Sequence, residues 1–224
     1  HDKLRLKIHL SHLTGFPSLR QLYNENPDET DHSNKNLKPT ISKNYETTVQ
    51  YDPNLMMRIM VTAFYTRAQD LVGTVRLPPP THFRFENITS ARLTGIEIFA
   101  KGKVNNFISF FVTYAYNDSR DLSTSEPLEH SVYNRGGAGV NLSFWRFKPI
   151  VLLEFRSKEI IRESSGNMGY LKGYSKLDTG LEFTMWRNNS VFVYIENVTD
   201  KIYFIAENME GEPRSIRAGL NISY

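Results

Sequence analysis

The sequence predicts an all-β fold: about ten antiparallel strands in up-and-down order, forming a segment of a transmembrane β-barrel wall. Three observations carry this. Apolar side chains recur at every second position through most of the chain, the period of a strand with unlike faces. The connections between these stretches are long and short in strict alternation. The second face of the same stretches is polar and charged rather than apolar.

The chain opens inside such a pattern. Leu4, Leu6, Ile8 and Leu10 alternate with Lys3, Arg5, Lys7 and His9. Residues 1–10 do not read as a basic segment followed by an apolar core, so no signal peptide is expected within this sequence. A start in mid-strand gives the expectation that this is a piece of something longer. Ile41, Tyr45, Val49 and Tyr51 form the next apolar set, then Leu55, Met57, Ile59, Val61, Ala63 and Tyr65. The stretch Phe83–Gly102 is strand with a phase shift near Gly95, where a bulge or a close backbone approach is expected. Ile108 to Tyr116, Ala138 to Phe144 and Val151 to Phe155 alternate cleanly. So do Leu177 to Met185, Val191 to Ile195, and Ile216 to Tyr224. No stretch reads as a convincing helix.

Composition sets the outer limits. The 224 residues carry 27 Lys and Arg against 24 Asp and Glu, a net charge of +3. Mean hydropathy is −0.43, and no apolar run reaches the ~18 residues of a transmembrane helix. Membrane strands need only ~9–11 residues each, with every second residue free to be polar. Absence of Cys excludes a disulfide framework and a thiolate metal site. The arginines Arg20, Arg58, Arg76, Arg84 and Arg92 form no stripe of nucleic-acid character, and no nucleic-acid partner is expected.

The connections sort into two classes. Asp52–Asn54, Lys103–Asn106, Arg146–Lys148 and Arg187–Asn189 are tight turns. Thr14–Thr40, Asp70–His82, Ser119–Val132, Arg162–Gly173 and Asp200–Pro213 are long. Outer-membrane barrels have short periplasmic turns and long extracellular loops. With the C-terminus on the periplasmic side, every long connection falls outside.

The faces agree. The apolar set can meet outer-membrane lipid. Glu46, Arg58, Glu97, Glu154, Arg156, Lys176, Asp178, Glu182, Glu196 and Arg217 would face a wet or plugged lumen. Tyr114, Tyr116, Tyr133, Trp145 and Trp186 lie near expected strand ends and suit interfacial girdles.

Three stretches resemble TonB-dependent outer-membrane receptors. The first is Gly15-Phe16-Pro17-Ser18-Leu19-Arg20-Gln21-Leu22-Tyr23 with Asn36-Leu37-Lys38-Pro39-Thr40 and Ser42-Lys43-Asn44-Tyr45-Glu46. The second is Ala63-Phe64-Tyr65 with Asp70-Leu71-Val72, Asn87-Ile88, Ala91-Arg92-Leu93 and Gly95-Ile96-Glu97. The third is Tyr174 with Leu177-Asp178, then Val193 through Tyr203, and the terminal aromatic Tyr224. Their order and spacing match the family over nearly the whole chain.

The resemblance implies a 22-stranded barrel, of which residues 1–224 would be the C-terminal portion, without the plug domain and the N-terminal strands. It implies an outer-membrane transporter of ferric siderophore, haem or a similar scarce nutrient. It implies energy from the TonB complex through the plug, and no enzymatic activity. No resident cofactor or metal is implied; iron would be cargo. Arg20, Tyr23 and His32, in the longest outer loop, are the candidate ligand contacts. Haem receptors of the family carry a His between two boxes. Gly15-Phe16-Pro17-Ser18 and Asn34-Lys35-Asn36-Leu37 flank His32 here, and both depart from the haem pattern. Leu220, Ile222 and Tyr224 resemble the C-terminal signal read by the barrel-assembly machinery.

Other features point elsewhere. A stand-alone ten-stranded barrel acting as a protease or a passive pore is the alternative; Asp31-His32 and Glu129-His130 are its acidic–His pairs. Asp28, Glu29 and Asp31 offer oxygen ligands for a hard cation. Asn87-Ile88-Thr89 and Asn197-Val198-Thr199 match glycosylation acceptors, incidental in a bacterial barrel. Arg135-Gly136-Gly137-Ala138-Gly139 lacks the Lys of a phosphate loop and reads as strand.

Overall fold

The computed structural model describes residues 3–24, 31–76, 83–162, 168–186, 189–206 and 208–222. Its strands are β1 (Leu4–Gly15), β2 (Asp31–His32), β3 (Thr40–Asn54), β4 (Met57–Arg76) and β5 (Phe83–Lys103). Then follow β6 (Ile108–Asp121), β7 (Asn134–Leu142), β8 (Phe147–Arg156), β9 (Glu159–Arg162) and β10 (Met168–Leu171). The last are β11 (Tyr174–Trp186), β12 (Asn189–Glu196), β13 (Phe204–Ala206), β14 (Met209–Glu210) and β15 (Ser215–Asn221).

The wall is one antiparallel sheet in the order β1-β3-β4-β5-β6-β7-β8-β11-β12-β15, ten strands as expected. The pairs β9–β10 and β13–β14 are separate small hairpins within long connections, and β2 runs parallel to β5. Among the described residues β1 and β15 are paired on one side only and not with each other. The sheet is therefore an open arc, and a closed ten-stranded barrel is not formed.

Register decides what each face carries. Leu4, Tyr51, Ile59, Ala100, Val112, Ala138, Leu153 and Leu177 stand directly opposite one another across eight strands. Leu6, Val49, Val61, Ile98 and Tyr114 form the next row of that face. These apolar side chains are not buried: Leu4, Leu6, Ile8 and Leu10 are 63–66% exposed. Buried apolar residues among those described reduce to Leu37, Ala68, Ala91 and Leu171. A water-soluble protein hides such rows; a bilayer solvates them. The other face carries Arg5, Gln50, Met60, Phe99, Thr113, Gly137, Glu154 and Lys176 in one row. All ten residues expected to face the lumen share this side.

Several expectations are corrected. The first part of the connection Asp70–His82 is strand, because β4 runs on to Arg76; residues 77–82 lie outside the described residues. Likewise β6 continues to Asp121, so Tyr114 and Tyr116 lie mid-strand rather than at an end. The expected bulge at Gly95 is absent: β4 and β5 hold register with Phe64 opposite Gly95. Close approach explains the glycine, since a Cβ there would lie 2.1 Å from the Tyr116 carbonyl oxygen. The turn expected at Arg146–Lys148 centres on Trp145-Arg146, closed by paired hydrogen bonds between Phe144 and Phe147 of 3.0 and 2.9 Å. Trp145 sits there at φ 54°, unusual for a bulky residue. Its ring packs on Phe147 and Phe183 with centroids 5.8 and 6.3 Å away. That contact cluster holds an aromatic girdle at the short-turn end of the outward face.

Candidate functional site

The long connection from β1 to β3 contains an ordered platform. Its helix α1 (Leu19–Tyr23) was not expected from the sequence pattern. Ser18 caps it: its hydroxyl accepts from the Gln21 N–H at 3.2 Å, and the Gln21 side chain accepts from the Ser18 N–H at 2.8 Å. Arg20 and Tyr23, three residues apart, share one side of this turn. The chain then folds back. Asn34 donates its N–H to the Gln21 carbonyl at 2.8 Å, and the Ser33 hydroxyl donates to the Asn24 carbonyl at 2.8 Å. The Lys35 ammonium sits 5.6 Å from the Tyr23 ring centroid.

The platform is bolted to the wall. The Asn34 side chain donates to the Phe85 carbonyl at 3.0 Å. Asn87 accepts from the Lys38 N–H at 2.8 Å and donates to the Lys38 and Asp70 carbonyls at 2.9 and 2.6 Å. His32, in β2, is exposed and lies opposite Arg84 in the parallel pair with β5. Arg84 is itself ion-paired to Glu86. The three candidate contacts thus belong to one braced loop at the long-loop end. The helix bearing Arg20 and Tyr23 is hydrogen-bonded to the segment that follows His32. Such a surface offers guanidinium, ammonium, phenol and imidazole groups, which suit an anionic, ring-bearing ligand. An exposed imidazole is also able to ligate haem iron axially.

A second constellation was only half legible. On the luminal face the Tyr174 hydroxyl donates to Glu154 at 3.0 Å, and Lys176 bridges Glu154 at 3.9 Å and Asp178 at 3.2 Å. Arg156 pairs with Glu159 at 2.5 Å and lies over the Tyr174 ring. His130 Nδ1 meets the other oxygen of Glu159 at 2.9 Å. His130 is therefore partnered by Glu159, twenty-nine positions away in the chain. The Tyr174 ring packs at a tilt against Tyr203, centroids 4.5 Å apart, which carries the network into the last outer loop. Asn197, read from sequence as an incidental acceptor motif, is almost fully buried there and anchors that loop.

Among the described residues no group of three or more His, Asp or Glu is disposed to hold a metal ion. Asp28 and Glu29 lie outside the described residues. So does Tyr224 of the C-terminal signal. Leu220 and Ile222 are 62% and 61% exposed on the outward face.

Known proteins match this chain in both sequence and fold. A family model described as TonB dependent receptor-like, beta-barrel, covers residues 2–198. The vitamin B12 transporter BtuB of Photobacterium profundum is 25% identical over 222 residues, 95% of this chain and 34% of that protein. Heme/hemopexin utilization protein C of Haemophilus influenzae is 27% identical over 130 residues, 52% of this chain and 18% of that protein. The solved copper transporter OprC superposes with a TM-score of 0.81 at 16% identity, over 98% of this chain and 37% of its own. The siderophore receptor PirA of Acinetobacter baumannii gives 0.78 at 18% identity, over 98% and 39%. The chain spans about a third or less of the curated relatives it matches. These relatives are transporters and receptors, not enzymes, and barrels of this kind reside in the outer membrane of Gram-negative bacteria. The exposed apolar rows, the charged inner face and the matched profile together make the chain a member of the TonB-dependent receptor β-barrel family.

Proposed function

We propose that this chain is the C-terminal part of the barrel of a receptor that binds a scarce nutrient outside the cell and imports it through the outer membrane. The cargo classes are ferric siderophore, haem or a comparable chelate, and TonB supplies the energy through a plug domain. Arg20, Tyr23 and His32 contribute to the outer binding surface. Leu220, Ile222 and Tyr224 present the C-terminal strand to the barrel-assembly machinery, and the apolar rows contact lipid. The observation that carries this reading is the braced loop platform at the long-loop end of a wall with a charged inner face. It supports uptake because a rigid, polar, loop-borne surface above a wet lumen is where a polar ligand can be held before passage.

The test is uptake by cells expressing the whole receptor. Growth on haem or on a ferric siderophore as sole iron source should require both the receptor and TonB. Growth that persists without TonB would overturn energised import. Of the cargo classes, haem is tied to His32: haem affinity that is unchanged in His32→Ala would remove it.

A further inference from the structure

One row of the outward face is not apolar. His12 lies opposite Lys43, Lys43 opposite Arg67, Arg67 opposite Arg92, and Arg92 opposite Arg120. Five basic side chains from five successive wall strands stand side by side on the face that carries Leu6, Val49, Val61 and Ile98. Two residues towards the short turns the same strands present Leu10, Tyr45, Tyr65, Thr94 and Asp118. The basic row therefore borders the apolar band, with Tyr45 and Tyr65 just beneath it, their ring centroids 6.2 Å apart.

Like charges directly opposite each other in a sheet destabilise it. Asp118 relieves part of this, accepting from Arg92 at 3.1 Å and Arg120 at 2.9 Å. Among the described residues no ion pair joins His12, Lys43 or Arg67, and all three are exposed. Buried Arg92 Nε has no hydrogen-bond partner. Asp118 thus pairs with two of the five basic groups, and the remaining charge stands on the outward face. Height fits as well. From Met57, at the short-turn end of β4, to Arg67 is ten residues. At ~3.3 Å each and a tilt of ~40°, this rises ~25 Å, the height of a barrel's apolar band.

We propose that the row His12–Lys43–Arg67–Arg92–Arg120 is a binding site for the phosphate-bearing headgroups of outer-leaflet lipid. The proposal rests on the outer-membrane reading, which puts the long-loop end outside. Guanidinium forks match phosphate oxygens, and the apolar rows below accept the acyl chains of the same lipid. No soluble acidic partner would need both features in register.

The experiment uses the whole receptor, purified in detergent, with bis-phosphorylated lipid A as the probe. Dephosphorylated lipid A and phosphatidylglycerol serve as comparisons. The double variant Lys43→Gln/Arg67→Gln removes two cations that make no ion pair, so folding is retained. Lys43→Gln/Arg67→Gln/Arg92→Gln extends the series. Arg5→Gln/Lys101→Gln, on the luminal face, is the control. The double variant should weaken lipid A binding by about tenfold or more, since each surface cation near an anionic headgroup is worth ~1 kcal/mol. The luminal control and dephosphorylated lipid A binding should not change. Equal lipid A affinity in wild type and double variant would overturn the site. Equal losses for phosphatidylglycerol would overturn the outer-leaflet assignment. Heat-modifiable migration and nutrient uptake are measured on the same samples. A receptor that inserts and imports normally but binds lipid A unchanged sinks this inference alone, whereas failed uptake by wild type sinks the transport reading instead.

Discussion

The backbone N–H of Asn197 donates to the Asp178 carboxylate at 2.7 Å, tying the last outer loop to the luminal face of β11. The side chain of Asn197 extends the tie. Its amide donates to the Lys201 and Glu212 carbonyls at 2.9 and 3.3 Å, and its oxygen accepts from the Lys201 N–H at 3.0 Å. Asn197 holds a left-handed backbone, φ 49°, which Asn tolerates better than most residues. Asn197→Ala leaves these loop groups unsatisfied at a site only 1% exposed. A loss of about 2–4 kcal/mol of local stability follows. Limited proteolysis of the receptor should then cut within residues 197–214 well before any wall strand. A cleavage pattern like that of wild type would show that Asn197 is not the anchor.

His32 is tested for haem, but Tyr23 tests the platform itself. The Lys35 ammonium over the Tyr23 ring and the Asn34–Gln21 hydrogen bond hold the loop against the helix. Tyr23→Phe keeps the ring and the cation contact; Tyr23→Ala removes both. If the platform binds cargo through its shape, Tyr23→Phe should retain affinity and Tyr23→Ala should lose it by about tenfold, the worth of one cation–π contact with its packing. Equal affinity of all three proteins, measured by titration of the ferric ligand, would exclude Tyr23 from the site.

The wall was legible because membership of a face is a local property. Alternation assigns Glu154 and Lys176 to one side without knowing which strands are neighbours. What needs register was not legible. Arg67 and Arg92 lie far apart in the chain and become adjacent only when β4 and β5 pair. His130 and Glu159 meet because β9 folds against the loop between β6 and β7: the Ile160 N–H donates to the Ser131 carbonyl at 2.9 Å, and the His130 N–H donates to the Ile160 carbonyl at 2.7 Å. Helix α1 did have a local signal: Ser18-Leu19-Arg20-Gln21 is a capping box, overlooked because a five-residue helix leaves no apolar period to detect. Strand lengths exceed the alternating stretches at the outer ends: β6 ends in Asn117-Asp118-Ser119-Arg120-Asp121, polar on both faces, and β4 continues through Asp70 and Gly73, where the alternation lapses.

The C-terminal strand yields an assembly prediction. Leu220 lies opposite Val191 in the β12–β15 pair, and the other edge of β15 is unpaired among the described residues. A recognition signal there must be read from that strand's outward side chains and its end. Deleting Tyr224 should lower the amount of heat-modifiable receptor in the outer membrane, while Arg217→Gln, on the luminal face, should not. Normal assembly without Tyr224 would leave Leu220 and Ile222 as lipid contacts only.

Two luminal glycines separate backbone from side-chain crowding. At Gly95 an added Cβ meets the Tyr116 carbonyl oxygen at 2.1 Å and the Phe64 ring at 2.7 Å. At Gly180 the nearest atoms belong to side chains, the Tyr194 ring at 2.2 Å and Ile150 at 3.0 Å. A ring at the end of a rotatable bond can move; a ladder carbonyl cannot without breaking strand pairing. Both alanine variants should be destabilised, by about 1–3 kcal/mol at Gly180 and more at Gly95. Removing the ring then discriminates. Gly180→Ala/Tyr194→Ala should regain most of the thermal stability lost in Gly180→Ala. Gly95→Ala/Phe64→Ala should not recover, because the carbonyl of Tyr116 stays where β6 holds it. Recovery of the Gly95 pair, read from the unfolding midpoint in detergent, would mean that the aromatic ring and not the strand backbone sets the demand for glycine at that position.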